Sequence, residues 1–451
     1  MIDTINECSN NNALAKEFTV YQLLKFAFPT ILMMIFMGLY TIVDTIFVAR
    51  FINTDALSAM NIICPLNNFI VGLGTMLATG GSAIVACKMG AGEDRRSRQD
   101  FTLIILVGFV IGCMIAVVGL IFLRSIIFAL GASSSLYPYC RDYLYILLLF
   151  TPASMLQVLF QNLIVTAGKP SLGMFLSISA GVANIILDYL FIVLLHWGMK
   201  GAALGTGIGY LIPSIIGFAF FIINRGTLYF NKPIVDFKVI AKSCLNGSSE
   251  MVSQLAAAIT TFLFNITMMK LAGEDGVAAI TIMIYTQFFA STLYIGFSMG
   301  VAPVVSYNFG SNNSQNLKKI ITICLRFIIC TSILICALLF IFAPNLAEVF
   351  SPSHTSVYKI TKEGFLVFPL SFLFSGINIF ISSMFTALSN GKISAIISFL
   401  RTFGFITIGI IILAKLFGII GVWLAVPIAE FSTIFISVFF IIKYKKIYHY
   451  I

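Results

Sequence analysis

The sequence predicts an all-α polytopic membrane protein, with twelve transmembrane helices arranged as two pseudo-symmetric six-helix lobes. Three observations carry that expectation. Of the 451 residues, 59% are hydrophobic and only 10% are charged, with mean hydropathy +1.03; soluble domains carry about 25% charged residues. Uncharged stretches recur at 56–87, 101–123, 143–168, 201–224, 276–317 and 364–391, each long enough for a span of about 20 residues. The chain also repeats itself. A gapless shift of 220 residues pairs Thr41 with Thr261, Asp55 with Asp275, Ala59 with Ala279, Gly80 with Gly300, Val85 with Val305 and Gly90 with Gly310. Further on it pairs Gly198, Gly201 and Leu204 with Gly418, Gly421 and Leu424.

Helices are expected to begin near residues 20, 55, 101, 138, 171, 200, 243, 275, 320, 360, 393 and 418. The stretch 276–317 exceeds one span and is expected to contain a turn around 308–316. Strands are excluded because the apolar runs are continuous, without the alternation that a β-barrel requires. Six helices per copy is an even number, so both copies share one orientation, as in the parallel repeats of some secondary transporters. The expected organisation is an N-terminal tail (1–17), an N-lobe (18–224), a polar linker (225–242), a C-lobe (243–442) and a C-terminal tail (443–451). Residues 1–17 are polar, with no apolar core or small-residue cleavage site behind them, so no removable signal peptide is expected.

Lys and Arg set the orientation. With the N-terminus inside, the inner segments hold Lys16, Lys25, Lys88, Arg95, Arg96, Arg98, Lys169, Arg225, Lys232, Lys238, Lys242, Lys318, Lys319, Lys392, Lys443, Lys445 and Lys446. The outer side holds Arg50, Arg124, Arg141, Lys200, Lys270, Lys359, Lys362 and Lys415. That excess places both termini in the cytoplasm of a multi-pass cell-membrane protein. The net charge of +10 is thus a topology signal. It does not point to nucleic acid, since no basic face interleaves with exposed aromatics. Nine scattered cysteines without a Cys-x-x-Cys give neither a disulfide framework nor a zinc site.

Against this apolar background, Asp44, the Asn184/Asp188 pair and Thr206 stand out. An ionisable group within a span costs at least about 2.5–3.5 kcal/mol and marks a functional site by default. Asp44 lies six residues before Arg50, Asp188 eight before His196, and Thr206 six after Lys200. At 1.5 Å per residue all three sit roughly 9–12 Å from the outer ends of their helices. Asn184 and Asp188, at i and i+4, share one helix face. Two carboxylates, an amide oxygen and a hydroxyl can coordinate Na⁺, a hard cation that prefers oxygen. They can equally hold H⁺, because burial and a like charge both favour the neutral carboxyl.

Gly201, Gly205 and Gly209 form a small-residue seam expected to bring Thr206 toward the first or fifth helix. Pro29 is expected to interrupt the first helix, as a hinge or as a static kink. The repeat partners of Asp44 and Thr206 are Phe264 and Val426, and Asp188 falls near Ile411, so the second copy lacks these oxygens. That copy has polar groups of its own. Arg401 and Glu430 are expected to pair, either structurally or toward substrate. Glu250 reads as a helix N-terminal acid or as a drug-binding carboxylate. Gln157, Gln161, Gln254, Asn265, Gln287 and Asn378 either line a cavity or bond between helices. No G-x-x-x-x-G-K-[ST] occurs, hence no in-chain ATPase is expected, and nothing resembles a nucleophile–base pair. An enzyme is not expected, and energy must come from an ion gradient.

These residues resemble the multidrug and toxic compound extrusion (MATE) family, especially its prokaryotic DinF-like and MepA-like branches. The resemblance covers nearly the whole chain. Its specific parts are Pro29 followed by Asp44, the run N-I-I-L-D from Asn184 to Asp188, and G-A-A-L-G-T from Gly201 to Thr206. It implies that Asp44, Asn184, Asp188 and Thr206 form an N-lobe cation site and that Pro29 bends the first helix. It further implies a secondary active efflux antiporter, exchanging amphipathic, often cationic, drugs or toxic metabolites for H⁺ or Na⁺. The expected partners are those small molecules and the lipid bilayer, with no cofactor and a monomeric state. The branch with an acidic C-lobe cluster is a poorer match, because Phe264 and Glu250 do not reproduce it. A lipid-linked precursor flippase of the same superfamily is the alternative, although it would require a more basic cavity. A membrane receptor or enzyme without transport stands third.

Overall fold

The computed structural model describes residues 13–223, 226–350, 352, 354–448 and 450. Cys8, Arg225 and His449 lie outside the described residues. Among the described residues there is no strand. Eleven helical elements among the described residues are long and apolar enough to cross a membrane, so this is a multi-pass membrane protein. They are α1 (Val20–Phe51), α2 (Thr54–Gly90), α3 (Asp94–Ile121), α4 (Tyr137–Thr166), α5 (Pro170–Leu194) and α6 (Gly198–Ile223). A 74-residue element, Phe237–Gly310, follows, with arms α7 (237–272) and α8 (274–310). The last four are α9 (Ser314–Ile341), α10 (Ser356–Ala387), α11 (Gly391–Phe417) and α12 (Ile419–Tyr448).

The 74-residue element folds back on itself. At Gly273 the backbone leaves the helical region, with φ 63° and ψ −149°, a conformation open to glycine at little cost. Gly247 packs on Met76 and Gly80 of α2, and Gly310 packs on Cys87 of that same helix. A straight helix from 247 to 310 would be about 95 Å long, so its ends could not meet neighbouring turns of α2. Counting the two arms separately gives twelve crossing segments.

Several helices begin earlier than the apolar runs suggest. Observed starts are Asp94 against an expected 101, Phe237 against 243, and Ser314 against 320. The reason is physical. A helix continues through charged residues wherever long Lys and Arg side chains can reach the headgroup layer, whereas an apolar-run count stops at the first charge. Asp236 and Asn313 cap these starts through hydrogen bonds to the backbone N–H groups of Lys238 and Asn316. The linker is correspondingly shorter than expected. Both tails are also partly structured: Leu14 is buried, α12 runs to Tyr448, and Tyr450 is buried.

The repeat is visible in the backbone. Asp94–Ile121 and Ser314–Ile341 are both 28 residues long, with starts 220 residues apart. The short helices that follow them, Leu123–Ala129 and Ala343–Phe350, begin at the same offset. The two copies meet at the Lys-rich end through a pseudo-two-fold glycine seam. A Cβ on Gly90 would collide with the Tyr307 carbonyl oxygen, and one on Gly310 with the Cys87 carbonyl oxygen. Residues 87 and 307, and 90 and 310, are repeat partners. Gly80 likewise abuts Ser243 and Gly247, while its partner Gly300 abuts Ala27, the partner of Gly247. Backbones touch here as closely as small residues allow.

The buried apolar residues form two clusters. The larger draws on both copies, whereas the second draws on the first copy alone, from Val48, Ala56 and Ile63 through Tyr143 and Leu147 to Ile192 and Ala203. Pro29 does not interrupt α1: the helix is continuous from Val20 to Phe51 with the proline buried.

A buried carboxyl pair as the candidate functional site

α1, α5 and α6 position the candidate residues. Asp44 sits two turns from the end of α1 and is 7% exposed. Asn184 and Asp188 lie on the buried face of α5, at 2% and 0% exposed. Asp188 is the last α-helical residue before a π-helical turn, Tyr189–Leu194. Such turns widen the helix locally and recur at functional sites.

The glycine seam of α6 faces α5. Gly201 packs on Phe191, Gly205 on the Asp188 carboxylate, and Gly209 on Ala180 and Asn184. The glycines therefore bring α6 onto the face of α5 that carries the polar pair. The structure resolves in favour of the fifth helix what spacing left open between the first and the fifth.

The Asp44 and Asp188 carboxyls lie side by side and interact directly. Asp44 Oδ1, both Asp188 oxygens and Asn184 Oδ1 are buried without a hydrogen-bond partner within the protein. Unpaired buried oxygens are costly, and these four belong to three residues of α1 and α5. Asn184 and Thr206 line one small cavity together with Tyr40, Gln157 and Tyr210. The Thr206 hydroxyl donates to the Ala202 carbonyl at 3.1 Å, which leaves its lone pairs available. Gln157 Oε1 is a fifth buried oxygen without a partner.

Sequence reasoning missed the tyrosines. Tyr40, Tyr143 and Tyr210 surround the acids closely enough to feel the charge of Asp44. Two of them were readable from spacing, since Tyr40 is i−4 to Asp44 and Tyr210 is i+4 to Thr206, on the same helix faces. Tyr143, on α4, carries no such signal.

The second copy is built differently. Arg401 lies in a π-helical turn of α11, Leu400–Gly404. Its Nη1 donates to Glu430 Oε1 at 3.2 Å. Asn378 donates to Glu430 Oε2 at 2.8 Å and accepts from Ser437 at 2.9 Å. Asn378 thus holds Glu430. Gln161, similarly, donates to Ser177 at 2.8 Å. Glu250 is not a helix N-terminal acid. α7 begins at Phe237 behind the Asp236 cap, so Glu250 lies more than three turns inside the helix. There it is within electrostatic reach of Arg401. The expectation failed because Lys238 and Lys242 were counted as linker.

Comparison with known proteins gives the lineage. One family model, MatE, matches twice, at residues 29–190 and 251–413. The chain belongs to the MatE family. The two MATE matches begin 222 residues apart (29 and 251), close to the 220-residue offset seen in the sequence. As a MATE protein the chain is a transporter and not an enzyme. It is 26% identical over 437 residues to the multidrug export protein MepA of Staphylococcus haemolyticus, covering 94% of this chain and 93% of that protein. The corresponding Staphylococcus aureus protein is 23% identical over 421 residues, with 90% of each covered. Among solved structures, the fold matches an outward-facing multidrug resistance MATE transporter of the MOP superfamily at TM-score 0.87 and 20% identity, covering 94% and 95% of the two chains. It also matches the Vibrio cholerae MATE transporter VcmN at TM-score 0.87 and 22% identity, covering 94% and 97%.

Proposed function

We propose that this MATE transporter exports amphipathic, often cationic, compounds across the cell membrane in exchange for H⁺ or Na⁺. In this reading Asp44, Asn184, Asp188 and Thr206 take the coupling ion. The observation that carries it is the side-by-side carboxyl pair, of which Asp44 Oδ1 and both Asp188 oxygens are buried without a hydrogen-bond partner. A site that leaves these oxygens unpaired in a low-dielectric interior gains most when a cation arrives. The positive-inside bias supports a cytoplasmic position for both termini and for the glycine seam. Two lobes rocking about a central cavity would open and close that seam. Cation entry from outside would neutralise the acids and rearrange α1 on its α5 and α6 contacts, weakening drug binding. Pro29, buried in a continuous helix, would let α1 bend without unfolding, because its missing N–H leaves one carbonyl unbound. The protein would work as a monomer.

The second copy supports export of drugs over flipping of lipid-linked precursors. Arg401, the one strong candidate for a basic cavity, is held by Glu430. The decisive experiment is dye efflux from proteoliposomes under separately imposed pH and Na⁺ gradients, with Asp188→Asn as the control. The variant is expected to insert and fold but to lose gradient-driven efflux. Efflux equal to the unsubstituted protein would remove Asp188 from the coupling role.

A further inference from the structure

We propose that residues 232–242, where the linker enters α7, form an interfacial anchor that binds the headgroups of anionic phospholipids. The inference rests on the membrane-spanning fold and is independent of which ion drives transport.

The first part of the linker is strapped to the first copy. Arg98 donates from Nε to the Thr227 carbonyl at 3.0 Å and from Nη1 to the Tyr229 hydroxyl at 2.9 Å, with its guanidinium 4.3 Å from the Tyr229 ring centroid. Leu228 is buried, Phe230 packs among Phe101, Phe218 and Phe221, and the Asn231 N–H donates to Thr102. Apolar residues up to this point are covered.

Beyond it they are not. Ile234, Val235 and Phe237 are 59%, 64% and 78% exposed. Lys232, Lys238 and Lys242 are exposed around them, and the acid among them, Asp236, is engaged in capping the Lys238 N–H. The repeat supplies a contrast. Ile234 is the partner of Leu14, which is fully buried, and Lys238 is the partner of Phe18, also buried. The first copy tucks its entry segment into the protein, whereas the second presents apolar side chains ringed by cations.

Length sets the depth. An α7 of 237–272 is about 54 Å long against a hydrocarbon core of about 30 Å, so its first turns extend into the headgroup layer. Apolar side chains there reach the acyl boundary while lysines meet phosphates, the pattern of an interfacial anchor. Each lysine near an anionic surface adds to the attraction. A zwitterionic surface lacks the net charge that three lysines complement.

The test uses the full chain with Phe237→Trp, reconstituted in mixed vesicles of phosphatidylglycerol and phosphatidylcholine. One lipid or the other carries brominated acyl chains, and the Trp197 and Trp423 background is subtracted. Quenching is expected to be at least about three-fold stronger with bromine on phosphatidylglycerol. That preference is expected to vanish when Lys232→Gln, Lys238→Gln and Lys242→Gln are added. Three results would each overturn the proposal. The indole could be quenched by aqueous iodide and not by bromolipid. The two lipids could quench equally. The preference could survive removal of the lysines.

Discussion

Gly205 lies directly on the Asp188 carboxylate, so close that a β-carbon there would displace the Asp188 carboxylate oxygen. Four residues along α6, Gly209 leaves a β-carbon 3.6 Å from Asn184 Cβ and from the Ala180 carbonyl, an ordinary contact.

The two glycines therefore make a matched pair. Gly205→Ala is expected to displace the Asp188 carboxylate and to cut ion-driven efflux at least about ten-fold, since overpacking a tight site costs about 1–3 kcal/mol. Gly209→Ala is expected to stay within about two-fold of the unsubstituted rate. Initial efflux rates in proteoliposomes, normalised to inserted protein, measure both. Equal losses would mean that the seam serves packing alone.

Thr206 separates the two candidate ions. Its hydroxyl oxygen can ligate Na⁺, whereas a proton shared between the Asp44 and Asp188 carboxyls makes no use of it. Thr206→Val is expected to raise the Na⁺ concentration for half-maximal efflux at least about five-fold if Na⁺ couples. An unaltered response to both gradients would assign the coupling to H⁺.

The repeat-related contacts at Gly90 and Gly310 predict a change of shape. Gly310→Ala is expected to hold the Lys-rich end apart, because its β-carbon would meet the Cys87 carbonyl. In a variant whose only cysteine is Cys87, which is half-buried and unpaired, maleimide labelling from that side should then quicken severalfold. An unchanged labelling rate would mean that the helices accommodate the methyl without separating.

Arg401 and Glu430 predict a non-additive pair. Arg401→Leu alone leaves Glu430 buried with only Asn378 beside it, and breaking such a pair costs about 3–5 kcal/mol. Adding Glu430→Gln is expected to recover most of that loss in the thermal unfolding midpoint in detergent. A double variant that is stable yet no longer handles drug would shift the pair from a structural role to a substrate role.

Much of this architecture was legible in the sequence because a bilayer is an unforgiving solvent. Spans, their parallel repeat and the isolated acids all follow from what hydrocarbon tolerates. Asp44 and Asp188, with Asn184 one turn away, were visible since no other charged residue lies within five positions of either acid. Tyr40 and Tyr210 could have been found from their i, i±4 spacing to Asp44 and Thr206, whereas Tyr143 is singled out only by the packing of α4 against α6. Glu250 was misplaced for a related reason. Hydropathy registers where charges stop, whereas the backbone of α7 follows hydrogen bonding and continues through Lys238 and Lys242. The contacts of Gly205 and Gly310 could be suspected from small residues, but which backbone each would meet depends on tertiary structure.

The strapped linker also works as a tether of known length. Asn231 belongs mechanically to the first copy and Phe237 to the second. Only the short segment between them can stretch, so their α-carbons can never stand more than about 20 Å apart. Whatever path the two copies take relative to each other, their excursion at this end has a ceiling written in the number of peptide bonds between Arg98's grip and the Asp236 cap.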